Sequence, residues 1–179
     1  MPHLRLALAA GGLLLAVPAL ASCGFDYPTE RVNTVGAGVT NREGTVDIGG
    51  SLVVSAQPDS GTLIGALSNT SDELISLESV TGEEGGVEID EFEPVEVPGR
   101  GHVNLATLAE DDEGLIVSGA FEAGDFVTVT FNFDNDQSIS IDVPVMKPCY
   151  EYEHIDGSGE GSDDPRYACE VEPEAPAEH

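Results

Sequence analysis

The chain has 179 residues with 6 Lys+Arg against 34 Asp+Glu, a formal net charge of −28. Such a surface repels phosphate and anionic lipid headgroups, which excludes nucleic-acid binding and electrostatic adhesion to a bilayer. The acidity has two readings, solubility in a salty habitat or attraction of cations or a basic partner, and composition alone does not separate them.

Residues 1–22 read as an export signal. Arg5 is their one basic side chain outside His3, an apolar stretch rich in Leu and Ala runs from Leu6 to Leu20, and small residues precede Cys23. The stretch is near the lower length limit for a membrane span. Leu20-Ala21-Ser22-Cys23 has the form of a lipobox, the site at which a lipoprotein signal peptidase cuts. On that reading Cys23 carries a diacylglyceryl thioether, and two or more acyl chains hold a protein to a membrane where one would not. The alternative is a secretory signal cut near Ala21, leaving Cys23 as a free thiol. Lipidation makes this a membrane-anchored protein on the outer, extracytoplasmic face, with 23–30 as a lipidated tether. Removing 1–22 takes away one base and no acid, so the mature chain keeps 5 basic and 34 acidic residues.

From 31 to 147 the pattern is one domain of short β-favouring runs, broken by Gly, Asn, Asp and Pro every eight to twelve residues. Strands are expected at 32–40, 45–55, 62–68, 73–80, 86–92, 102–106 and 114–119, with no long helical period. Phe126–Phe133 alternates most clearly, with Val127, Val129, Phe131 and Phe133 on one face and Thr128, Thr130 and Asn132 on the other. Asp134-Asn135-Asp136-Gln137 makes a turn, and Ser138–Val145 puts Ile139, Ile141, Val143 and Val145 on one face, completing a hairpin. The fold class is all-β, an antiparallel sandwich.

The remaining 148–179 read as an acidic, largely disordered tail. With Cys23 acylated, Cys149 and Cys169 form an even pair in an exported protein, where a disulfide is favoured. Their loop is Gly-rich and too polar to build a core. A Cys149/His154/Cys169 metal site is the competing reading, but zinc sites want four ligands at tighter spacings. Asp156, Ser158 and Glu160 sit at offsets reminiscent of a calcium loop, yet the twelfth position is Tyr167 and no helices flank it. Glu83-Glu84 and Glu110-Asp111-Asp112-Glu113 read as solvated loop tips.

Three stretches together resemble the PCuAC-type periplasmic copper chaperones, in particular a lipid-anchored branch from high-GC Gram-positive bacteria. They are Gly61–Asn69 with Asp72-Glu73-Leu74; Val97-Pro98-Gly99-Arg100-Gly101-His102-Val103-Asn104-Leu105; and Phe121–Phe131 ending in Val143-Pro144-Val145. The resemblance implies a cupredoxin-like sandwich that holds Cu(I) through two His-x-Met pairs and a further Met. Thioether and imidazole suit that soft ion where hard oxygen ligands do not. Here the first pair aligns near Asp90-Glu91-Phe92 and the second near Gly114-Leu115-Ile116, so the ligands are missing. His102 and Met146, with His154, are the residues from which a rebuilt copper site could be made; His102 reads otherwise as a partly exposed strand residue.

No Gly-x-Ser-x-Gly elbow and no Gly-rich phosphate loop is present, and the sandwich has one histidine, so the sequence points away from an enzyme. Two readings remain. One is a lipid-anchored monomer that binds another envelope protein and needs no cofactor; the other is a copper chaperone with a rebuilt site. Mass spectrometry of the membrane-extracted protein is expected to find lipid on Cys23, and an unmodified thiol there would remove the anchor.

Overall fold

The computed structural model describes residues 37–83, 86–110, 113–159 and 161–169. Cys23, the signal segment and the tether lie outside them. Ten strands are described: β1 (Val39–Asn41), β2 (Val46–Gln57), β3 (Ser60–Asn69), β4 (Ile75–Gly82), β5 (Val87–Ile89), β6 (Val95–Val97), β7 (His102–Asn104), β8 (Leu115–Gly119), β9 (Phe126–Phe133) and β10 (Ser138–Met146). A six-residue helix, α1 (Leu105–Glu110), separates β7 from β8. Strands β5-β8-β3-β2 form one sheet, with β1 paired to β2 and β7 to β3, and β10-β9-β4-β6 form the other. All pairings are antiparallel except one: the end of β10 runs parallel to β2, Val145 opposite Val53 and Met146 opposite Val54.

The hairpin read from the sequence is present in register, with Ile139 opposite Phe131 and Ile141 opposite Val129. Its apolar face is the core face: Val129, Phe131 and Val143 are fully buried and pack with Val46, Ile48, Val53, Leu63 and Leu67 of the first sheet. The turn does more than reverse the chain. The Gln137 side-chain oxygen accepts from the Thr45 amide (2.7 Å) and the Val46 amide (3.2 Å), while its NH₂ donates to the Val46 carbonyl (3.0 Å). One side chain on the second sheet thereby closes the first ladder of β2.

Three elements differ from the sequence expectation. The first strand is described only at 39–41, within the expected 32–40 span and one residue past it. Residues 105–106, expected to extend a strand, begin α1, because Asn104 caps it: its side-chain oxygen accepts from the Ala106 amide (3.0 Å) and its carbonyl from the Thr107 hydroxyl (2.7 Å). Strand β6 was unforeseen; it is three residues long, follows Pro94 and carries Glu96, leaving no alternation to read.

The stretches that carry the family resemblance prove to be packing joints. Asn69 is 3% exposed at the end of β3. Its NH₂ donates to the carbonyls of Glu73 (2.7 Å) and Val97 (3.1 Å), and its oxygen accepts from the Ser71 amide and hydroxyl. A Cβ on Gly99 would collide with the Asp72 carbonyl, so only glycine lets the 98–101 turn lie against the 71–73 loop. Arg100 then pairs with Asp72 at 2.8 Å and holds that carboxyl below its usual range; both side chains are exposed, so the pair contributes little stability. In the third stretch the Asp125 carboxylate accepts from the Glu122 amide (2.9 Å), and the Gly124 amide donates to the Val145 carbonyl (2.9 Å).

Cys149 and Cys169 are joined by a disulfide. The segment it closes does contribute to a core, contrary to the sequence expectation: Ile155 and Tyr167 are buried, Ile155 against Leu52, Val54 and Ile64 on the outer face of the first sheet. Asp156 is the pin. A register shift after Val54 frees the Ala56 amide from the ladder, and the Asp156 carboxylate accepts from it (2.6 Å) and from the Thr62 hydroxyl (3.1 Å). The Gly157 amide donates to the same hydroxyl (3.0 Å). Through residue 169 the tail is therefore a strap across the sandwich.

Two outcomes are expected. Asn69→Ala strands the carbonyls of Glu73 and Val97 and should lower unfolding free energy by about 3 kcal/mol, read by urea denaturation. Reduction of the disulfide, or Asp156→Ala, should open 148–169 to protease while 37–147 remain protected; equal loss of both regions would contradict the division into strap and sandwich.

Candidate functional site

A recess among the described residues forms where the chain leaves one sheet for the other. The Asp90 amide donates to the Ile116 carbonyl (3.0 Å), extending the β5–β8 ladder by one rung. Glu91, Phe92, Glu93 and Pro94 then cross to the second sheet, where β6 pairs with β4. Proline has no amide to donate, and adjacent carboxylates repel, so this crossing adds to neither ladder. On its far side stand β7 and α1, the latter closed by the Glu113 amide donating to the Leu108 carbonyl (2.8 Å).

The result is a groove of about 620 Å³. Phe92, Val95, Val103, Leu108 and Ile116 make an apolar floor, each half-buried. All but Ile116 pack directly on the main core. Asp90, Glu91, Glu93, Glu96 and Glu113 line it as well, and all five are exposed. Among the described residues no basic side chain lines the groove.

Both segments at which the resemblance places the His-x-Met pairs, 90–92 and 114–116, meet here. They bring carboxylates and hydrocarbon where copper chemistry requires sulfur and imidazole, so the residues present do not fit Cu(I). Nor do the alternative ligands gather. His102 is exposed on β7 opposite Ser68, and strand alternation turns its neighbour Val103, not His102, into the groove. Met146 packs on the strap-covered cluster of Leu52, Val54 and Ile64. Met146 is level with Val54, which is opposite Thr62, whereas His102 is opposite Ser68. Six residues of β3 therefore separate them, about 20 Å along the strand.

His154 lies elsewhere again, exposed on the strap beside Glu153 and Asp156 over a shallow hollow that includes Ala56 and Pro148. Cys149 and Cys169 are consumed by their bridge, and Asp156, the first position of the calcium-like run, is committed to backbone and hydroxyl donors. Glu160 of that run, Glu84, Asp111 and Asp112 lie outside the described residues. Among the described residues no three His, Cys, Asp or Glu side chains group so as to hold a metal ion. No described helix is long and apolar enough to cross a membrane.

Sequence reasoning noted Asp90-Glu91-Phe92 only as a place where ligands are missing. The signal for the groove was available in part: four acids within residues 90–96 interrupted by Phe92, Pro94 and Val95 are an unusual edge for a buried strand. What closes the groove, Val103 and Leu108 from the β7–α1 corner, had no sequence signal.

No protein-family model matches the chain, and no curated protein matches it. Among solved structures, the copper-bound PCuAC domain from PmoF2 aligns at 14% identity and a TM-score of 0.48, covering 60% of this chain and 97% of that one. The apo PCuAC domain from PmoF1 aligns at 16% identity and 0.48, covering 60% and 98%. The apo PmoF2 domain gives 14% and 0.48, covering 63% and 98%. These are domains of the kind the sequence resembles; at this identity and TM-score the likeness assigns neither ligand nor role to this chain.

Proposed function

We propose that this chain is a lipid-anchored, extracytoplasmic, non-catalytic interaction module: a PCuAC-like sandwich, monomeric, held to the membrane through Cys23, that binds another envelope protein. The observation that carries this reading is the composition of the groove. At the two segments where the resemblance expects soft ligands, the chain presents hydrocarbon and carboxylate, which suit a protein surface and not Cu(I). Its lining holds no Ser, Thr, Cys, His, Lys or Tyr, so no hydroxyl, thiol or amine nucleophile with an adjacent base is among it. The strap, the disulfide and the Asn69 joint stiffen the scaffold around the groove, as suits presentation of a preformed surface.

The competing copper-chaperone reading requires His102 and Met146 to converge, which would break the β3–β7 or β2–β10 pairing that holds each of them. A Cu(I) competition titration against a chromogenic chelator, with the Cys149–Cys169 bridge kept oxidised, is expected to show no tight site. Tight one-to-one binding that His102→Ala abolishes would overturn the proposal and restore the metal reading.

A further inference from the structure

Resting on that reading, we infer that the groove between the β5–β6 crossing and the β7–α1 corner is the docking surface, and that its occupant is a cationic amphipathic segment of a different protein. The floor supplies an apolar face: Phe92, Val95, Val103 and Leu108 are half-buried on the main core, with half-buried Ile116 beside them, and together they line an open groove among the described residues. Its volume of about 620 Å³ suits a few side chains of an extended or helical segment. Five exposed carboxylates line the same groove.

Charge decides what can cover it. A second copy of this chain brings a net charge of −28, and its own residues 170–179 include Glu170, Glu172, Glu174 and Glu178 with no Lys or Arg. Both are repelled. The bases of the described residues are also spoken for: Arg100 pairs with Asp72, Arg166 with Asp164 and Glu122, and Lys147 donates to the Ala168 carbonyl. Only Arg42 of these residues stands outside such contacts, on the β1–β2 turn and away from the groove lining. The mature chain has one further base, Arg31, outside the described residues, so five rim carboxylates outnumber the charge this chain can offer, and the complementary charge arrives on another chain, with Lys or Arg reaching the rim and apolar side chains in register with the floor. Exposed rim carboxylates steer the encounter and select its sign; the floor supplies the affinity.

The test uses the full chain in detergent and three labelled peptides of about ten residues, alternating Lys with Leu, Lys with Ser, and Glu with Leu. The Lys/Leu peptide is expected to bind, the Lys/Ser peptide about tenfold more weakly or worse, and the Glu/Leu peptide not at all. Glu91→Lys with Glu93→Lys should weaken Lys/Leu binding by about tenfold, whereas Glu151→Lys with Asp163→Lys, the same charge change on the strap, should alter it less than about twofold. Equal loss from both pairs, equal binding of Lys/Leu and Lys/Ser, or no binding overturns the groove assignment. All four positions are exposed, so the variants should fold. Affinity capture from native membranes separates the two proposals. A partner recovered equally by the wild type and the Glu91/Glu93 variant overturns the groove and leaves the interaction module standing; no partner above background for either removes the module itself.

Discussion

Strand β10 is the member on which the rest of the structure depends. From Ser138 to Pro144 it belongs to the second sheet, paired with β9; at Val145 and Met146 it belongs to the first, paired in parallel with β2. Pro144, opposite Phe126, stands at a position whose amide would face away from β9, and the Val145 amide continues the β9 side by donating to the Asp125 carbonyl (2.9 Å), so the last residues of β10 serve both sheets. A strand shared between two sheets fixes their separation and angle at one corner of the sandwich. Gln137, at the other end of the same strand, fixes the opposite corner through the start of β2. With both ends of β10 tied to β2, the two apolar faces can meet in only one register, and Phe131 and Val129 fall against Val53 and Leu63.

The strap follows from the first of those ties. Because β10 ends beside Val54, the chain emerges over the outer face of the first sheet, where Leu52, Val54 and Ile64 would otherwise face water. Ile155 covers them, and Asp156 answers the Ala56 amide that the register shift in β2 leaves outside the ladder. A buried unpaired amide is costly, so a carboxylate at that point holds the strap more firmly than its Gly-rich, acidic composition suggests. The disulfide adds a covalent limit on how far the two ends of the segment can part.

The groove arises at the crossing between the sheets for a related reason. Strands β5 and β6 sit at the open edges of different sheets, and the crossing between them has no ladder to join. Residues that need no pairing and tolerate water collect there, which is how a highly acidic chain accommodates four acids in seven residues without disturbing its core. The same crossing leaves the apolar ends of the core only half covered. Acid and hydrocarbon are thus adjacent because of where the chain changes sheets, and the proposed docking of a cationic, amphipathic segment rests on that adjacency.

What the sequence by itself determined was local: the all-β class, the β9–β10 hairpin with its inward face, the pairing of Cys149 with Cys169, and the lack of His-x-Met ligands at 90–92 and 114–116. Each depends on residue identity or on a period of two, which neighbours in the chain can carry. The tertiary structure decided the rest. Asn69, a plausible turn residue by sequence, is a buried four-contact joint because β6 passes beside it. Leu105–Glu110 is too short for a helical period to show, and forms a helix because Leu105 is fully buried and Asn104 caps it. His102 and Met146 could share a site on paper, yet strand register sets them apart; Asp90 and Ile116, far apart in the chain, are joined by a backbone hydrogen bond. Periodicity tells which face a side chain takes, but which strands become neighbours, and at what offset, is settled only when the apolar faces pack against each other.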